Sequence, residues 1–98
     1  MVQVRWTAEA ESWLREIFDY ISADNPAAAF ATVEGIYERV RVLHSHPEIG
    51  ARYDIITNRD IRVLLYGHYR IAYLVKPNGV IDILGVFHGA LDINRYIL

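Results

Sequence analysis

The run from Ile61 to Asp92, IRVLLYGHYRIAYLVKPNGVIDILGVFHGALD, constrains this chain more than any other part of it. Three segments rich in Val, Ile, Leu, Tyr and Phe, spanning Ile61–Tyr66, Tyr69–Lys76 and Val80–Phe87, are separated by turn residues. Such segments favour strands, because branched and aromatic side chains pack well on a pleated surface. Gly67-His68 and Pro77-Asn78-Gly79 are short connections, so the strands follow one another as antiparallel hairpins. The second is the clearer turn, since Pro presets one φ angle and Asn-Gly accepts the positive φ that hairpins impose.

Side chains alternate across a strand, which sorts each segment into two faces. One set, Ile61, Val63, Leu65, Tyr69, Ile71, Tyr73 and Val75 with Ile81, Ile83 and Phe87, is the expected core face. The other contains Arg62, Leu64, Tyr66, Arg70, Leu74, Leu84 and Val86, together with Ala72, Lys76, Asp82 and His88. This second face mixes charge with apolar surface, a composition suited to docking an amphipathic segment. Arg62, Leu64, Tyr66, Arg70, Leu74, Leu84 and Val86 are therefore the expected partner-binding residues.

The residues before this run read as helical cover. Val2, Val4 and Trp6 alternate as a short first strand, and Thr7 stands where a helix N-cap belongs, followed by Glu9 and Glu11 in the first turn. Ala10, Leu14, Ile17 and Ile21 recur at helical spacing, which predicts a helix over Ala8–Ser22. Asn25-Pro26 starts a second helix of similar length that folds back antiparallel and stops near His46-Pro47. Leu91–Leu98 has the spacing of a short terminal helix or arm. The resulting order, β-α-α-β-β-β, is an α+β fold with a two-helix hairpin on a small, mostly antiparallel sheet.

Composition excludes several function classes. The 98 residues include no cysteine, so neither a disulfide framework nor a Cys-based zinc site is available. A chain of this length, expected to form a single domain over 1–98, buries roughly 65% of its unfolded surface. Ten basic and twelve acidic residues give a net charge of −2, which offers no general attraction to DNA or an anionic membrane. No segment has the length of a membrane span or the layout of a secretion signal, so a cytoplasmic protein is expected. His44 and His46 point apart on a helix and make a poor metal pair; no metal or cofactor is called for. Trp6 and Trp13 fit the buried periodicity of their elements. Arg52, Arg59 and Arg62 form the one local basic cluster, interleaved with Asp54 and Asp60.

Taken together, TAEAESWLREIFDYI in the first helix, HPEIGARY after the second, GHYRIAY in a central strand and VFHGALD after the last resemble the RelE/ParE superfamily of type II toxin–antitoxin toxins. The resemblance covers nearly the whole chain. It implies a small toxin wrapped and silenced by a ParD-like antitoxin in a hetero-oligomer. Members of the ParE branch poison DNA gyrase, whereas RelE-like members cut messenger RNA on the ribosome. A metal-free nuclease of the second kind needs clustered groups to activate a hydroxyl and stabilise phosphate charge. Here the cluster is reduced to Arg70 and His88 as candidate catalysts, with Lys76 the one lysine. The His88-Gly89-Ala90-Leu91-Asp92 tail is closer to the ParE pattern, although that pattern often has Arg where Leu91 stands. The expected function is gyrase inhibition by contact; the alternatives are the ribosome-dependent nuclease and a remnant that only binds its antitoxin. Each candidate also has a plain structural role available: an ion pair with Asp82 for Arg70, and a bond to Asp92 or a backbone carbonyl for His88.

Overall fold

A computed structural model describes residues 2–53, 58–89 and 93–97. Strand β1 (Gln3–Trp6) leads into α1 (Ala8–Ser22), and α2 (Pro26–Val40) returns antiparallel to it and continues into a single 3-10 turn, Arg41–His44. The strands β2 (Ala51–Arg52), β3 (Asp60–Tyr66), β4 (Tyr69–Val75) and β5 (Val80–His88) follow, and α3 (Asn94–Ile97) closes the described chain. The sheet order is β1-β5-β4-β3-β2. β1 runs parallel to β5 at one edge, and the other pairs are antiparallel. Two-residue β2, which sequence patterning missed, is too short to carry a period.

Local chemistry sets the helix boundaries. The Thr7 hydroxyl accepts the Ala10 N–H at 3.1 Å and donates to the Ile83 carbonyl at 2.6 Å, capping α1 and tying its start to β5. Asn25 caps α2 in the same way, accepting the Ala28 N–H at 3.1 Å, with Pro26 at the first helical position. Both hairpins turn through glycine at positive φ, Gly67 at 57° and Gly79 at 82°, where a Cβ would be strained.

The faces of the sheet differ from the sequence expectation in two places. Leu64 stands opposite Ile71, and Tyr66 opposite Tyr69, so in β3 these two residues and Arg62 look toward the helices. Ile61, Val63 and Leu65 look the other way, and Leu65 is 61% exposed. In β5, Ala72 pairs with Gly85 but Tyr73 pairs with Ile83, which leaves Leu84 as an extra residue in a β-bulge. The bulge reverses the alternation. Ile81 and Ile83 face the helices before it, whereas Val86 does so after it and Phe87 is turned to the far face.

Both faces are consequently covered. On the helix side Leu14, Ile36 and Leu43 pack on Leu64, Tyr73 and Ile83. On the far side Ile93, just before α3, packs with Ala72 and Phe87. Trp13 reaches around the edge that short β1 leaves open, meeting Phe87 edge-on at 4.7 Å and Tyr96 at 4.9 Å between ring centres. Each fully buried large side chain in such a core contributes about 1.5–3 kcal/mol.

Candidate protein-interaction site

The register separates the two candidate catalysts. Tyr69 pairs with His88, and Arg70 with Phe87, so His88 emerges on the helix face and Arg70 on the far face. Arg70 donates from Nη2 to the Gly89 carbonyl at 3.4 Å. His88 is exposed, stacked on His68 at 6.3 Å and edge-on to Tyr69 at 5.9 Å. The expected bond from His88 to Asp92, like the Leu91 position, lies outside the described residues. Arg70 does not pair with Asp82, which stands four rungs along the sheet opposite Leu74.

Asp82 has other partners. It is buried on the far face, where Arg5 donates to it from Nε at 2.9 Å and Nη2 at 3.3 Å, and Lys76 Nζ stands at 2.7 Å. The Arg5 hydrogen bond, reinforced by Lys76, holds the carboxyl below its ordinary range against the opposing effect of burial. Lys76 is thus engaged in an ion pair at the end of the sheet opposite His88.

Arg62 acts on the turn that precedes β2. It donates to the carbonyls of Glu48 and Gly50 at 3.0 and 3.1 Å and to the Asp60 carboxylate at 3.0 Å. Buried Tyr73 completes this clamp: its hydroxyl accepts the Gly50 N–H at 2.8 Å and donates to the Pro47 carbonyl at 3.0 Å. Of the basic cluster, Arg52 and Arg59 stay exposed, while Arg62 is largely buried. Among the described residues no three His, Cys, Asp or Glu side chains are grouped to hold a metal.

The seven residues expected on one partner-binding face are divided between two. Arg62, Leu64, Tyr66 and Val86 look toward the helices, with Leu64 and Val86 buried; Arg70, Leu74 and Leu84 lie on the far side. The assumption of strict alternation through β5 and the choice of the wrong half of β3 produced that grouping.

A different surface is continuous. Between α1 and the last residues of β5 runs a cleft of about 600 Å³, walled on one side by Trp13, Ile17, Tyr20 and Ile21 and on the other by Tyr69, Val86 and His88. Glu16 stands on its rim, and Tyr20 is 85% exposed. The signal for it was in α1 itself. Trp13, Ile17, Tyr20 and Ile21, with Leu14 and Phe18, spread over an arc wider than the roughly 100° stripe that one packed face requires.

The comparisons with known proteins agree with this architecture. The family model described as the ParE toxin of type II toxin–antitoxin system, parDE, matches residues 4–93. A solved structure, the chromosomal ParDE TA system from P. aeruginosa, is similar with a TM-score of 0.73. It is 24% identical, and the alignment covers 90% of this chain and 96% of that one. No curated protein matches the sequence.

Proposed function

Because the chain belongs to the ParE toxin family of type II toxin–antitoxin systems, we propose that it is a toxin that acts by contact, inhibiting DNA gyrase in the cytoplasm, and that a cognate ParD-like antitoxin silences it in a hetero-oligomer. The observation that carries the non-enzymatic part is the placement of Arg70 and His88 on opposite faces of the sheet. A nuclease needs its base, its acid and its charge stabiliser around one phosphate. Here Lys76 neutralises Asp82 and Arg62 serves a turn, so neither adds to such a cluster. The apolar cleft beside α1 is, by contrast, suited to binding a protein.

The test is induction of the chain alone in a bacterial host, with bulk protein synthesis and a DNA-damage reporter followed together. Early reporter activation while translation continues supports gyrase inhibition. A prompt halt in translation with a silent reporter overturns it in favour of messenger cleavage, and normal growth overturns toxicity itself.

A further inference from the structure

We propose that the cleft beside α1 seats an antitoxin segment that is apolar on one side and carries Lys or Arg on the flank turned toward α1, so that Glu16 selects the partner by charge. The proposal rests on the toxin–antitoxin reading above and adds the chemistry of the contact segment.

The floor of the cleft is apolar, formed by Trp13, Ile17 and Ile21 facing Tyr69 and Val86. At about 600 Å³ it lies within the range of ligand pockets, large enough for several side chains of a peptide and far too small for a folded domain. The charge on its helical wall is one-sided. Among the exposed charges of α1, Glu9, Glu11, Glu16 and Asp19 outnumber Arg15. Glu11 turns away from the cleft: its charge, after burial, is what raises the pKa of the Tyr37 phenol on α2. Glu9 and Glu16, two turns apart, fall on the cleft side, and Arg59 lies with Glu9 at a narrower pocket lined by Leu84 and Tyr96. Glu9, Glu16 and Asp19 form no salt bridge among the described residues, which leaves Glu16 as the charge presented to an occupant. Among the described residues no carboxylate lines the opposite wall, which ends in His88.

An acidic segment entering this cleft would place like charges together beside low-dielectric surface, which is the costly arrangement in recognition. A second copy of the chain, docking α1 on α1, would bring its own Glu16 and meet the same penalty. A basic flank removes it. If the segment is helical, a residue opposite Glu9 and one opposite Glu16 lie seven positions apart, about 10 Å along the axis.

The experiment measures binding of the full chain to its full-length antitoxin at about 0.05 M and about 0.5 M salt, conditions that bracket strong and weak screening. Glu16→Lys is expected to raise Kd about tenfold at low salt, with a smaller ratio at high salt. Tyr20→Asp is expected to weaken binding at both, while Glu34→Lys on α2 leaves it unchanged. Restoration by Lys→Glu or Arg→Glu in the antitoxin segment identifies the paired residue. Circular dichroism checks that each variant is folded. Binding of Glu16→Lys and Tyr20→Asp within twofold of the unaltered chain overturns the proposal and leaves the toxin–antitoxin reading intact. Failure of the unaltered chain to bind any antitoxin overturns both.

Discussion

Replacing Tyr73 by Phe removes one oxygen from the centre of the clamp that holds residues 47–50. The phenol is fully buried, and its hydroxyl both accepts the Gly50 N–H and donates to the Pro47 carbonyl. The ring stays, so little apolar contact is lost. What remains is a buried Gly50 N–H without an acceptor, a deficit of about 1–3 kcal/mol, plus a smaller term for the half-buried Pro47 carbonyl. About 2 kcal/mol is expected in total, which lowers Tm by about 10 °C in a domain of this size. Arg62 still grips the Glu48 and Gly50 carbonyls, so the turn persists and the loss is local. The Gly50 amide should then exchange about thirtyfold faster while β4 amides change less.

The same variant has a pH signature. Burial raises the Tyr73 phenol pKa, opposed by the Gly50 hydrogen bond, so the folded chain holds that proton more tightly than the unfolded chain does. The corresponding stability is present below the ordinary phenol pKa of about 10 and is lost as pH rises through the folded value. The unaltered chain and Tyr73→Phe should therefore converge in stability above about pH 10. A Tm change below about 2 °C at neutral pH, or unaltered exchange at Gly50, refutes the clamp as a stabilising element.

Two further outcomes follow from packing and charge. At Gly35 an added Cβ would run into the end of the half-buried Tyr66 ring at its hydroxyl, so the ring would have to shift. Overpacking costs about 1–3 kcal/mol against about 1 kcal/mol gained in helix propensity, so Gly35→Ala should lower Tm by several degrees and Gly35→Ala/Tyr66→Leu should recover much of it. The depressed Asp82 carboxyl contributes stability above its ordinary pKa that is lost as pH falls through the folded value. Asp82→Asn should thus be less stable at neutral pH, and its denaturation profile should be flatter in acid than that of the unaltered chain; parallel acid profiles refute the role of the Arg5–Asp82–Lys76 group.

The helices were legible because their signals are local. Thr7, Asn25 and Pro26 act within one turn of where they stand, and α1 runs Ala8–Ser22 as its spacing predicts. Strand faces were less legible because both sides of this sheet are covered, so alternation carries little contrast: Val63 and Leu64 are both apolar, yet they pack in different layers. The partner of Asp82 was hidden for another reason. Arg5 is 77 residues away and meets it through the parallel pairing of β1 with β5, a contact no hairpin pattern encodes. The cleft was likewise divided between α1 and the ends of β4 and β5, and the surplus apolar arc of α1 was its visible half.

The bulge at Leu84 gives β5 a slip of phase. Odd-numbered Ile81 and Ile83 face the helices before it, and even-numbered Val86 and His88 do so after it. Losing the codon for Leu84 would leave an unbroken ladder, with Ile83 still opposite Tyr73 and Gly85 still opposite Ala72, so Val86, Phe87 and His88 would keep their layers while the strand lost its local kink. The extra residue is therefore what lets an odd-numbered run and an even-numbered run of one strand face the same helices. Among relatives, a one-residue deletion at the bulge would spare the cleft lining, whereas a residue added elsewhere in the strand would have to be absorbed by a second bulge or by a shifted ladder.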